Sequence, residues 1–146
     1  MKINGVIMQY FHWYINHDMK LWQKLKADAK HLQEIGITAI WMPPAYKGAG
    51  GINDTGYGVY DMYDLGEFNQ KGAIETKYGS KADYLSCIET IHEHHMDVYG
   101  DIVLNHRIGA DEFETVVAKE VNRLNTQQII SGDETIKVAT KFTFPN

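Results

Sequence analysis

Three short apolar runs separated by two amphipathic stretches constrain this chain more than any other feature. The runs are "GVIMQYF" (Gly5 to Phe11), "ITAIWM" (Ile37 to Met42) and "DVYGDIVLNH" (Asp97 to His106). Each is short and rich in strand formers, which predicts a buried strand. Between the first two lies "LWQKLKADAKHLQEIG", where Leu21, Trp22, Leu25, Ala29 and Leu32 fall on one helical stripe. Asp18 is placed to cap its start and Gly36 to end it. Pro43-Pro44 stops the second run. Before the third run, Ser80 and Asp83 have the spacing of a capping box, and Tyr84, Leu85, Ile88 and Ile91 form a second stripe. The order strand, helix, strand, helix, strand demands helical crossovers, and so a parallel sheet of the α/β class.

Parallel sheets are covered on both faces or closed into a barrel. A complete barrel of this kind takes eight strand–helix units and about 250 residues. The 146 residues here hold three strands, so they read as the first part of something larger. After His106 the periodicity fades. "VVAKEV" stays open between a strand and a short turn of helix, while "TKFTF" alternates like a strand and stops at Pro145.

Charge and cysteine usage narrow the function. The net charge is -5 and no lysine- or arginine-rich run occurs, which argues against nucleic acid or an anionic membrane as partner. Cys87 stands alone, so no internal disulfide can form, as fits a reducing compartment. No apolar run reaches the roughly 18 residues of a membrane span. The start, "MKINGVIMQYFHWY", lacks the apolar core and small-residue cleavage site of a signal peptide. The expected location is cytoplasmic, where the sequon Asn53-Asp54-Thr55 has no consequence.

In parallel α/β folds, sites gather at the carboxyl ends of strands. Asn105 and His106 lie at the end of the third run, with Asp101 inside it. A buried Asp is costly unless paired or hydrogen-bonded. From the pattern alone two readings stay open: a polar site, or an Asp that ties neighbouring elements beside two ordinary turn residues. The glycine-rich stretch after Pro44 is a poor core builder and a good functional loop. Within it, "GYGVYDMYD" alternates Tyr57, Tyr60 and Tyr63 with Asp61 and Asp64. Tyrosine suits stacking on sugar rings and equally suits anchoring a loop. "IHEHHMD" does not have zinc-protease spacing; His92 and His95 share a face near a helix C-terminus, where the dipole favours them. No glycine-rich dinucleotide or phosphate loop occurs.

Four longer segments carry a resemblance: "GVIMQYFHWY", "GITAIWMPPAYKG", "GYGVYDMYDLGEFNQKGAIETKYG" and "VYGDIVLNHRIGAD". In order and spacing they resemble the N-terminal part of bacterial α-amylases of glycoside hydrolase family 13, of the liquefying type and its cytoplasmic relatives. The likeness runs on through "ISGDETIKVATKFTFP". It implies a (β/α)8 barrel, with residues 1–106 supplying the first three strands and 107–146 the start of an inserted B domain. It also implies endo-acting, retaining cleavage of α-1,4-glucans such as starch. That chemistry needs two carboxyl groups about 5–5.5 Å apart. The resemblance puts the nucleophile and the acid/base beyond Asn146. By position, it implies that Asp101 supports the active-site network, His106 hydrogen-bonds the sugar beside the scissile bond, and Tyr57 stacks on that ring. Asn105 matches a calcium ligand, one of the six to eight oxygens such an ion takes. Two departures stand out: His12 where Glu is common, and Arg107-Ile108 where Lys-Gly is usual.

The expected function is therefore the N-terminal region of an α-amylase, inactive as 146 residues alone and needing the rest of its own barrel. A second reading is a non-catalytic glucan-binding or assembly module that keeps Tyr57 and His106; a third is a stand-alone α/β interaction domain, against which the tyrosine loop argues. Unpaired sheet edges further imply self-association or marginal folding of the isolated chain.

Overall fold

The computed structural model describes residues 4–144. Met1–Ile3 and the expected strand stop at Pro145 lie outside the described residues. Two compact units divide the chain, residues 1–108 and 109–146.

In the first unit the elements run β1 (Ile7–Gln9), a 3-10 turn (His17–Met19), α1 (Leu21–Glu34), β2 (Ala39–Met42), β3 (Lys47–Gly48), a 3-10 turn (Gly51–Asn53), β4 (Val59–Asp61), α2 (Lys81–Glu93) and β5 (Asp97–Gly100). β1, β2 and β5 form a parallel sheet in that order. Both crossovers carry a helix, as the alternation of apolar runs and stripes requires. The register places Met8, Ile40 and Val98 in one row and Gln9, Trp41 and Tyr99 in the next. Successive strand residues face opposite ways. The Met8 row joins a core built from both helices, including Leu25, Ala29, Leu32, Cys87 and Ile91. Trp22 fills the helix junction, with its ring centroid 4.9 Å from that of Tyr84 and 5.4 Å from that of Tyr78. The opposite face is bare: Ile7, Trp41 and Tyr99 are 57%, 38% and 55% exposed.

Several local expectations change. α1 is not capped by Asp18, which sits inside the preceding 3-10 turn. Its N-cap is Lys20, at φ 44° and without a side-chain cap bond. Lys20 instead points its ammonium at Glu75, 2.5 Å away, tying the helix start to the loop. Gly36 ends the helix at φ +93°, and Ile37 N–H donates back to Leu32 O. The capping box at Ser80 and Asp83 forms as read. Leu85 is exposed, however, and Cys87 takes the buried position on α2. β5 ends at Gly100, so Asp101 follows the strand rather than lying within it. The reason is the partner: β2 runs into Pro43-Pro44, and among the described residues β5 has no strand on its other side. Asp101 N–H still reaches Met42 O at 3.1 Å, the last rung available.

The glycine-rich stretch is not a poor core builder; its core is polar. Lys47 and Asp64 are both fully buried, 3.4 Å apart. The Lys47 ammonium donates to the carbonyl oxygens of Phe68, Ala73, Ile74 and Glu75 at 3.1, 2.7, 2.5 and 3.4 Å. Asp64 accepts from the N–H groups of Gly66, Glu67 and Phe68 and from the Gln70 amide. Gln70 also reaches Asp61. Burial pushes the Asp64 carboxyl up. The N–H groups of Glu67 and Gly66, the Gln70 amide and Phe68 N–H more than reverse this, leaving it below the usual carboxylate range.

In the second unit, β6 (Glu112–Ala118) pairs antiparallel with β9 (Glu134–Lys141), and β7 (Val121–Asn122) with β8 (Asn125–Ile129). "VVAKEV" is thus strand, in β6 and β7. Of "TKFTF" only Thr140 and Lys141 belong to a strand.

Three outcomes follow from this packing. Lys47→Met should cost about 3–5 kcal/mol in urea unfolding, because it leaves Asp64 buried without its cation. A folded pKa held down means that the Asp64 contribution is complete above about pH 4 and fades as pH falls further. Thermal melts between neutral pH and pH 3 should therefore lose less stability in Asp64→Asn than in the parent chain. The bare sheet face and open edges should make the isolated chain associate as concentration rises in sedimentation velocity; a monomer at all concentrations would contradict this.

Candidate functional site

The carboxyl ends of β1 and β5 and the loop before β4 bring a compact group of side chains together. Tyr57 is its centre. The Tyr57 hydroxyl donates to Asp101 Oδ2 at 2.6 Å. Trp13, just beyond β1, stacks on the Tyr57 ring with centroids 5.7 Å apart and planes at 15°. The Tyr57 carbonyl lies 2.9 Å from His106 Nε2. A carbonyl only accepts, so Nε2 carries the proton. Asn105 Nδ2 sits 3.3 Å from Nδ1. The two contacts hold the His106 ring between Tyr57 and Asn105.

The segment after β5 is held where no strand partner exists. Val103 N–H donates to the Tyr46 hydroxyl at 2.6 Å, and Ile108 N–H to Val59 O at 2.8 Å. Arg107 places both Nε and Nη2 on Tyr60 O, at 3.1 and 3.0 Å. The unusual Arg107 thus locks the stretch that carries His106 onto the stretch that carries Tyr57. Burial, and then the bond to the Asp101 carboxylate, raises the Tyr57 phenol well above its ordinary value, so it stays a donor at any physiological pH.

All four residues singled out from sequence meet here. Tyr57 and Asp101 are half-buried; Asn105 and His106 are exposed. Their roles differ from a simple inventory. The His106 N–H is committed to Tyr57 O, and Asp101 to the Tyr57 hydroxyl. Tyr60 is buried with the Lys71 ammonium 4.0 Å from its ring centroid, so it anchors the loop, while Tyr63 is 86% exposed. Trp13 is the residue that sequence reading passed over. Its signal was available: an aromatic in "MQYFHWY", at the carboxyl end of a predicted parallel strand. His92 and His95 stay outside the site, at and just beyond the end of α2.

The donor that the resemblance assigns to calcium is the Asn105 amide oxygen, whose nitrogen faces His106. Among the described residues no cluster of three or more His, Cys, Asp or Glu side chains could hold a metal. One neutral oxygen does not make a site for an ion that takes six to eight. These residues by themselves do not fit calcium.

Tyr57→Phe keeps the ring and removes the bond to a charged acceptor; it should lower stability by about 1–2 kcal/mol in denaturant melts. Millimolar calcium should leave the melting temperature of the 146-residue chain unchanged to within about 1 °C, since ligand stabilisation needs concentrations near Kd.

Comparison with known proteins gives this geometry a family. A family model described as "Alpha amylase, catalytic domain" matches residues 21–129. The chain is 55% identical over 142 residues to an α-amylase of Geobacillus stearothermophilus, covering 97% of this chain and 26% of that one. It is 50% identical over 144 residues to an α-amylase of Bacillus licheniformis, covering 99% and 28%. A cytoplasmic α-amylase of Escherichia coli is 44% identical over 144 residues, covering 97% and 29%. The chain thus spans between a quarter and a third of these relatives' lengths. Among solved structures, a truncated alternansucrase from Leuconostoc mesenteroides superposes with a TM-score of 0.79 at 23% identity, over 95% of this chain and 13% of that one, a likeness of fold. With the model match running over most of its length, the chain belongs to the α-amylase catalytic-domain family.

Proposed function

We propose that this chain forms the substrate-facing first part of an endo-acting, retaining hydrolase of α-1,4-glucans. In that reading β1, β2 and β5 are the first three strands of a (β/α)8 barrel, and residues 109–146 begin the inserted B domain. The bare sheet face that carries Ile7, Trp41 and Tyr99 would then look into the barrel interior. The observation that carries the proposal is the Tyr57–Asp101 bond of 2.6 Å at the carboxyl end of a parallel sheet. That is where such folds place their chemistry.

The division of labour follows from the contacts. Trp13 covers one face of the Tyr57 ring, leaving the other to stack on a sugar. Asp101 fixes the ring by its hydroxyl and so sets the tilt of that face. His106 directs Nε2 at the Tyr57 carbonyl and reaches a sugar hydroxyl by giving up that contact. Asp101 is committed to Tyr57, so it is a support and not the nucleophile. Retaining cleavage needs a nucleophile and an acid/base about 5–5.5 Å apart. Both are assigned to chain beyond residue 146, as the greater length of the relatives supports. Asn105 would lend one oxygen to a calcium ion shared with that further chain. A cytoplasmic setting is supported by the Escherichia coli relative and by the single, buried Cys87. Among the described residues no helix is long and apolar enough to cross a membrane.

The test has two arms. Pure 146-residue chain should release no reducing sugar from soluble starch above background; turnover would overturn the assignment of the carboxylate pair. In a version extended through the remaining barrel, Tyr57→Ala and His106→Ala should each lower kcat/KM by about tenfold or more. Wild-type kinetics in both variants would remove these residues from the substrate wall.

A further inference from the structure

Tyr57 lies between two glycines, and both their N–H groups point at one side chain. Asp54 Oδ1 accepts from Gly56 N–H at 2.9 Å and from Gly58 N–H at 3.2 Å, while Oδ2 accepts from Gly50 N–H at 2.9 Å. Three convergent backbone donors make a concave, positively polarised nest, and the Asp54 carboxylate fills it from within. The surrounding glycines record how tight the fit is. A Cβ on Gly48 would overlap the Asp54 carboxyl, and one on Gly58 would sit 2.6 Å from Asp54 Oδ2. These positions lack side chains because Asp54 occupies their space. Ala49 N–H also donates to Gly58 O at 2.7 Å, which ties the same turn to the end of β3.

We propose that Asp54 is the positioning residue of the sugar-stacking wall: by holding the N–H groups of Gly56 and Gly58, the residues on either side of Tyr57, it sets where that ring stands against Trp13 and Asp101. The proposal rests on the reading of Tyr57 as a glucan contact for its functional consequence, but not for its geometry. Side-chain bonds to Tyr57 fix the tip of the ring through Asp101 and its plane through Trp13. His106 holds the carbonyl. Neither Gly56 nor Gly58 can restrict its own backbone, since each lacks a Cβ. The turn therefore depends on an external restraint, and Asp54 supplies it to both neighbours at once. Asn in its place could still accept from Gly56 and Gly58, but would turn an NH2 toward the Gly50 N–H, donor against donor. The carboxylate is the side chain that satisfies all three.

The Trp13–Tyr57 stack provides a readout that global stability does not. Its near-ultraviolet circular dichroism is assigned as the signal lost in Trp13→Phe. In the 146-residue chain, Asp54→Ala should abolish that component, Asp54→Asn should lower it in part, and neither change should alter the spectrum further in a Trp13→Phe background. Maltohexaose titrations should show Asp54→Ala weakened about tenfold or more and Asp54→Asn by less. A stack signal unchanged in folded Asp54→Ala overturns the proposal, even with a lowered melting temperature. Should Asp54→Ala not fold, Asp54→Asn decides: partial loss of the signal supports the clamp, and a spectrum that superposes on the parent overturns it. If the parent chain binds no maltohexaose while Asp54→Ala loses the stack, the clamp stands and the glucan reading of this chain falls. If Tyr57→Ala abolishes binding while Asp54→Ala keeps both stack and affinity, the glucan reading stands and the clamp falls.

Discussion

A buried ammonium is the constraint on which the functional end of this structure depends. Lys47 carries its charge to a place without solvent, where four carbonyl oxygens and the Asp64 carboxylate surround it. An isolated charge there would be prohibitive, so the long stretch between β2 and α2 must fold so as to supply those acceptors. That requirement converts a glycine-rich sequence, weak in apolar side chains, into an ordered layer. Chain segments 68 to 75, which make almost no regular structure, are held because their carbonyls have a cation to face. β3 and β4 then run beside this hub, and Tyr57 emerges just ahead of β4.

Above this layer the site is a chain of single-acceptor commitments. Asp54 accepts from the N–H groups around Tyr57, Asp101 accepts from its hydroxyl, and the Tyr57 carbonyl faces His106 Nε2 as acceptor. Arg107 fastens the segment after β5 to Tyr60. Each group answers one need, and each leaves the next atom fixed. A residue suited to holding a sugar ring is thereby presented with little conformational freedom left to lose on binding, which is the physical meaning of preorganisation. The same arrangement explains why Asp101 reads as a support: its oxygen is already spent within the protein.

Much of the framework was legible from pattern. Leu21, Trp22, Leu25, Ala29 and Leu32 became the buried stripe of α1, and Ser80 with Asp83 closed the capping box of α2, because helical period and local hydrogen bonding act over a few residues. Other readings failed where a distant partner outbid a local one. Asp18 has the right chemistry for a cap, yet the 3-10 turn absorbed it and Lys20 was drawn to Glu75 instead. Leu85 has the right hydrophobicity for the core, yet it is exposed and Cys87 is buried in its stead. Lys47 and Asp64 were invisible as core because hydrophobic periodicity scores a charge as surface, whatever carbonyls await it.

By itself the sequence determined the alternation of three parallel strands with two helices and, through the resemblance of its longer segments, the family and the candidate group of Tyr57, Asp101, Asn105 and His106. The first rests on residue type and spacing, which are local; the second rests on the likeness of whole segments. Only the tertiary structure decided what those residues do to one another: that Asp101 stands past the strand and holds a phenol, that His106 turns Nε2 to the Tyr57 carbonyl, that Trp13 covers one ring face, and that Asp54 clamps the turn. The reason is distance along the chain. The Tyr57–Asp101 bond joins residues 44 positions apart, and no spacing rule reaches that far; it exists because a buried ammonium and a nest of glycine amides give the intervening loop one way to fold.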